Sequence, residues 1–171
     1  MSAVLSTERL TVRQWQATDR ERAFDLYSRT EVTRWLGRTR TMAQLADADA
    51  LIERFQERSM DPRYGVWAVE RRDTGVVAGS VLLVPFPDGD GEVEVGWHFH
   101  PDSWGSGFAT EAARAAVAKG FADGLAEVYA VTHPDNHRSQ AVCRRLGMTP
   151  LGRTDRWYRS ELEAFLLTDP N

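Results

Sequence analysis

Hydrophobic and polar positions switch between two periods along this chain. Leu10-Thr11-Val12-Arg13 alternates, as a half-buried strand does. Helical spacing follows, with Ala23, Phe24, Leu26 and Tyr27 on one face behind Thr18-Asp19-Arg20-Glu21, which has the form of a capping box. A second box, Thr41-Met42-Ala43-Gln44, opens a helix with Leu45, Ala48, Leu51, Ile52 and Phe55 on one side. Residues 31–40 keep neither period and read as an irregular stretch carrying Trp35. Residues 66–70 and 76–84 read as strands around the turn Arg72-Asp73-Thr74-Gly75. After a loop at 85–91, a strand at 92–99 puts Glu92, Glu94, Gly96 and His98 on one face.

The second half repeats a strand-then-helix order. A glycine-bearing loop leads into an alanine-rich helix that runs to about Phe121, with Gly124 as its stop. Residues 127–132 read as a strand. Pro134 keeps His133 out of helical conformation, and Asn136 then caps a helix through Ser139, Val142 and Leu146 to Gly147. Residues 149–153 and 161–167 supply final strands. The order predicts an α/β fold: one domain over residues 1–171, with a mixed central sheet flanked by helices.

Composition narrows the function. The 171 residues are 42% hydrophobic and 27% charged, with a net charge of −4, as in an ordinary soluble globular domain. Arginine and lysine are scattered, which argues against a nucleic-acid partner. Residues 1–9 lack the apolar core of a signal peptide, and no apolar run reaches the length of a membrane span. A lone cysteine, Cys143, excludes an intrachain disulfide. These features predict a cytoplasmic protein without a membrane partner.

Trp104-Gly105-Ser106-Gly107-Phe108-Ala109 carries the strongest chemical signal. Two glycines let the backbone bend and approach a ligand, and the helix behind them offers unpaired N–H groups to an anion, above all a phosphate. A dinucleotide fold fits poorly, because its third glycine is replaced by Thr110 and the acid at the right distance, Glu127, starts its strand instead of ending it.

Four stretches, in order, point elsewhere: Leu10-Thr11-Val12-Arg13; Glu94-Val95-Gly96-Trp97; Trp104 through Ala112; and Asn136-His137-Arg138-Ser139 with Arg145-Leu146-Gly147-Met148. Together they resemble the GNAT superfamily of N-acetyltransferases, within it the branch that acetylates ribosomal-protein N-termini. The resemblance implies a mostly antiparallel central sheet and direct acetyl transfer from acetyl-CoA to a primary amine, with a protein or peptide N-terminus as the leading acceptor. A small-molecule amine such as an antibiotic or polyamine, or a non-catalytic acyl-CoA-binding module, is the alternative. It also implies a homodimer. One departure stands out: the superfamily often has Gln or Arg three residues before the first motif glycine, where this chain has Asp102.

Coenzyme A brings a pyrophosphate for residues 104–109 and a pantetheine arm whose amides suit an open strand edge at Trp97, His98 and Phe99. Asn136 would hold the pantetheine from the other side. Amine acetylation needs a base, an oxyanion donor and help for the departing thiolate. Glu94 is the candidate base, directly or through a water, with Glu92 as fallback, and a backbone N–H of residues 97–99 is the candidate oxyanion donor. By resemblance Ser139 lies near the thioester sulfur, and Tyr158 is the alternative acid. The plainer readings are a solvated strand carboxylate for Glu94, a first-turn helix hydroxyl for Ser139 and a packing aromatic for Tyr158. Cys143 lacks an activating base and reads as core, as do Tyr27, Phe55 and Trp35. His98, His100, His133 and His137 lack metal-ligand spacing, so no metal is expected.

Overall fold

The structure is a computed structural model that describes residues 3–37 and 41–171. Eight strands form one sheet: β1 (Leu5–Ser6), β2 (Leu10–Arg13), β3 (Gly65–Arg71), β4 (Val77–Pro85), β5 (Val93–Phe99), β6 (Glu127–Thr132), β7 (Thr149–Thr154) and β8 (Leu162–Thr168). Their spatial order is β1-β2-β3-β4-β5-β6-β8-β7. Every neighbouring pair is antiparallel except β5 and β6, which run parallel and are in register at Glu94 and Tyr129. The mixed, mostly antiparallel sheet agrees with the expected architecture.

Alternation along the central strands divides the core between the two faces of the sheet. Val66 and Ala68 of β3 with Leu82 and Val84 of β4 pack against α1 (Arg20–Tyr27), α2 (Thr30–Thr33) and α3 (Leu45–Arg58), through Leu26, Tyr27, Val32, Leu51, Ile52 and Phe55. Trp67, Val69, Val81, Leu83, Val93 and Val95 face the other way, onto α4 (Phe108–Ala122) and α5 (His137–Arg145). The alanines at 112, 113 and 116 are fully buried, so α4 lies close to the sheet. Glu94 and His98 alternate with the buried Val93, Val95 and Phe99, which turns them toward the α1–α3 layer.

Neither predicted capping box forms; a neighbouring box stands in place of each. Gln16, not Thr18, caps a short 3-10 turn at Ala17–Asp19, and Asp19 Oδ2 accepts the Gln16 N–H at 2.8 Å. Gln44, not Thr41, caps α3, with Asp47 Oδ2 accepting its N–H at 3.1 Å. In each case a shorter Asp closes the box that a Glu or Gln was expected to close. The stretch expected to be irregular holds all of α2 but its first residue, Thr30, and residues 38–40 of it lie outside the described residues. β1 was not anticipated; two residues are too few to show a period.

Gly79 marks where backbone packing is tightest. A Cβ there would sit 2.1 Å from the His98 carbonyl oxygen, across the β4–β5 pair. Gly79→Ala should therefore cost roughly 3 kcal/mol, the upper range for overpacking. Urea unfolding checks this: an unchanged midpoint would contradict the close approach.

Candidate active site

A cavity of about 2100 Å³ runs along β5 from Glu94 to the glycine loop. Its shape follows from the register. β6 pairs with β8 over its whole length, from Glu127–Thr168 to Thr132–Glu163, yet meets β5 in register only at Glu94. Beyond that point the parallel strands part, and the β5 edge from Val95 to Phe99 faces the opening.

At the loop end, Gly105 and Gly107 adopt φ of +75° and +77°, the left-handed region that glycine enters without strain. Gly107 is the N-cap of α4, and the Glu111 N–H bonds back to its carbonyl at 3.1 Å. The N–H groups of residues 108–110, which precede the first intrahelical bond, therefore point into the loop. Trp104 Nε1 donates to the Phe99 carbonyl at 2.8 Å and ties the loop to the end of β5. The Arg138 guanidinium lies 4.7 Å over the Trp104 ring, so the loop also touches the first turn of α5.

Arg9 was not singled out in the sequence, yet it belongs to this end. Its Nη1 donates to the Ser106 carbonyl at 2.8 Å, and its Nε donates to Glu111 Oε2 at 2.7 Å. Thr7 Oγ1 donates to the same carboxylate at 2.5 Å. Arg9, Arg114, Arg138 and Arg145 all line the cavity. No local pattern joins residue 9 to residue 111; only the β2–loop–α4 packing brings them together. Asp102 faces away. It accepts both contacts from Arg22 Nη2 at 3.0 Å and one from Ser103 Oγ at 2.7 Å. Burial alone would raise its pKa, but these hydrogen bonds hold it at about 2. The departure at Asp102 thus serves a clasp between α1 and the segment after β5.

The donor set fits a coenzyme A thioester. Two positive-φ glycines leave the loop backbone open, and a Cβ on Gly105 would meet nothing within 4 Å. The Thr110 and Thr132 hydroxyls are buried in the cavity wall without a hydrogen-bond partner among the described residues, as expected where a ligand supplies one. Asn136 Oδ1 accepts the Ser139 N–H at 3.2 Å and caps α5. Ser139 is half-buried and lines the cavity.

At the other end Glu94 is buried, 9% exposed, and accepts a hydrogen bond from the Tyr158 hydroxyl. Burial pushes its carboxyl from the usual 4.5 to about 7; the Tyr158 bond and the field of Arg58 offset this only in part. Tyr158 is raised in turn, chiefly by burial and then by the Glu94 charge. It follows Trp157, whose ring stacks on Phe86 at 4.3 Å, and it precedes Arg159, which has φ of +50°. A non-glycine residue in that region stores strain, here beside the candidate chemistry. Glu92 differs sharply. It is paired with Arg156, accepts the Asp90 N–H at 2.7 Å, and is held below the ordinary carboxylate range, first by backbone hydrogen bonds. It does not line the cavity.

Trp97, His98 and Phe99 all line the cavity. The His98 Nδ1 lies 3.1 Å from the Tyr27 hydroxyl, itself 2.7 Å from Ser80 Oγ. Tyr27 and Phe55 are buried in the helical layer and also border the cavity, so the core reading is only half of their role. Cys143 is fully buried, and burial pushes its thiol up to about 12.

The family model for the GNAT acetyltransferase domain matches residues 9–149. The uncharacterized N-acetyltransferase YoaA of Bacillus subtilis (strain 168) is 32% identical over 153 residues, covering 89% of this chain and 86% of the relative. An acetyltransferase from Agrobacterium tumefaciens superposes with a TM-score of 0.82 at 23% identity, covering 99% of this chain and 95% of that one. The ribosomal alpha-N-protein acetyltransferase RimL, solved with coenzyme A, superposes with a TM-score of 0.82 at 11% identity over 98% of both chains. With a glycine loop, an open strand edge and a buried carboxylate along one cavity, and a family match over most of its length, this chain belongs to the GNAT family and is an acetyl-CoA-dependent N-acetyltransferase.

Proposed function

We propose that the acceptor is the N-terminal amine of a protein or peptide, and that Glu94, Tyr158 and Ser139 divide the work of transfer. The observation that carries this reading is the single cavity joining the glycine loop to the buried Glu94 and its Tyr158 partner. RimL and a Mycobacterium smegmatis RimJ share the fold, which supports the peptide reading. A microcin self-immunity acetyltransferase solved with acetyl-CoA and AMP shares it too, at a TM-score of 0.80, and keeps a small-molecule amine as the second reading.

Acetyl-CoA supplies an electrophilic thioester carbonyl. Residues 108–110 and the arginines around the loop hold the pyrophosphate, and the open β5 edge with Asn136 aligns the pantetheine. Glu94 takes a proton from the acceptor amine as the N–C bond forms. A backbone N–H of residues 97–99 donates to the carbonyl oxygen as negative charge grows there. When the C–S bond breaks, the Ser139 hydroxyl donates a hydrogen bond to the departing sulfur. Tyr158 positions Glu94 and favours its ionised form.

Three outcomes follow. Gly107→Asp puts a carboxylate beside the pyrophosphate site; its Cβ would meet only Arg9 Nη2, at 3.5 Å, and holding a side chain at a φ of +77° adds a local strain of about 1–2 kcal/mol. Calorimetry should show acetyl-CoA binding lost while thermal unfolding stays cooperative; unchanged binding would remove the cofactor assignment.

Glu94→Gln should lower turnover on peptide N-termini by roughly 10²–10⁴-fold, with little change in acetyl-CoA affinity. Stability should move oppositely. The folded-state pKa of Glu94 lies above the unfolded value, so its contribution is intact below about 4.5 and is lost as pH rises to about 7. The loss is roughly 3 kcal/mol. Glu94→Gln should therefore melt above the wild type at pH 8 and level with it near pH 4; a pH-independent difference would contradict the raised pKa.

Tyr158→Phe removes the bond that favours ionised Glu94, so the acid limb of kcat/KM should move upward. Ser139→Ala should lower kcat without moving that limb. The reverse pattern would exchange their roles.

A further inference from the structure

The helical layer above Glu94 is rich in arginine, and three of those charges are neutralised by carboxylates. Arg20 pairs with Asp49, Arg22 with Asp102 and Arg29 with Asp25, at 2.6, 3.0 and 2.7 Å. Arg58, in the last turn of α3, has no carboxylate partner among the described residues and lines the cavity. Arg54 also lacks one but stays outside the cavity; Arg34 lines the cavity without one too, but its guanidinium lies 4.3 Å over the Trp35 ring. Arg58 is itself exposed, while Leu51 and Phe55 on its own helix and Val66 and Leu82 on the sheet, which line the same cavity, are buried and apolar. Its field reaches both Glu94 and Tyr158.

An unpaired cation beside a base is a poor neighbour for an amine substrate. An amine arrives as an ammonium ion, and like charges in a partly desolvated cavity repel. The arrangement also weakens Glu94 as a base. Both costs are offset if the acceptor brings its own negative charge. A planar guanidinium with free N–H groups is suited to a carboxylate, which it binds through paired, charge-assisted hydrogen bonds.

We propose that the acceptor carries a carboxylate near its reactive amine and that Arg58 binds it. This rests on the acetyltransferase reading above and names the substrate class of that site. Amine at Glu94, carboxylate at Arg58 and an apolar stem along Phe55 and Leu82 describe an amino acid or an acidic peptide N-terminus. Polyamines and other polycations are disfavoured.

The test uses matched acceptor pairs at pH 9, above the Glu94 titration, so that loss of a cation does not act through the base. Peptides beginning with Asp are compared with their Asn isosteres, and free leucine with leucinamide. The wild type should favour the carboxylate member by roughly tenfold or more, mainly through KM. Arg58→Gln should remove the preference, and Arg58→Lys should restore part of it. A preference confined to the peptide pair assigns the carboxylate to an acidic N-terminus; one confined to leucine assigns it to a free amino acid. Equal rates within every pair, or equal losses for both members in Arg58→Gln, would overturn the proposal and reduce Arg58 to a helix-end charge. Acetyl-CoA binding with no amine acetylated would overturn the acetyltransferase reading as well.

Discussion

The pairing of β5 with β6 is the constraint on which the rest depends. These are the sheet's parallel neighbours, and they are in register at one residue before they part. Had the ladder continued, those N–H and C=O groups of residues 95–99 that point away from β4 would be bonded to β6 and the cavity closed. Parallel neighbours also send their following loops out at the same end of the sheet, where open α/β sheets place their ligands. The glycine loop after β5 and the Asn136 turn after β6 therefore come to stand side by side. β8 pairs with the far edge of β6, so the strand that leaves its partner keeps its own ladder.

A second theme is how differently the protein treats two acids two residues apart. Glu92 meets Arg156 and backbone N–H groups, and is a settled anion. Glu94 sits between packed layers with one hydroxyl for company. The same alternation that buries Val93 and Val95 sends Glu94 into the cavity. A group kept half-ionised at neutral pH is unfavourable for folding and suited to proton transfer. The rigid stack of Phe86 and Trp157 holds Tyr158 against it.

Much of this was legible in the sequence, and the limits have physical reasons. Long periodic elements such as α3, α4 and β6 agree with their predicted spans to within a few residues, because burial on one face writes itself into spacing. The glycine loop and Asn136 were visible because turns and caps demand particular residue types. The caps themselves slipped by two or three residues, since an Asp reaches back to the N-cap as well as a Glu does when the turn is tight. β1 was too short to show alternation. The Arg9–Glu111 tie and the Arg22–Asp102 clasp were invisible, because ion pairs between distant elements leave no periodic trace, and nothing in the spacing of α3 marks Arg58 as a cavity residue. The direct contact of Glu94 with Tyr158, 64 residues apart, was hidden for the same reason; both were singled out, but nothing in the sequence said that they touch.

The Arg9–Glu111 tie carries a consequence for how the molecule is assembled. Thr7 and Arg9 precede the second strand, and Glu111 opens a helix that forms only after the fifth. The loop that cradles an anion is thus braced by residues 7–9, and the wall facing it comes from the strand and helix that follow. Neither half holds a finished cradle by itself. During synthesis, the ability to capture a nucleotide-bearing ligand arises late, once residues 7–9 have docked onto a helix made some hundred residues afterward. Ligand capture is in that sense a signal that residues 7–9 and α4 have met.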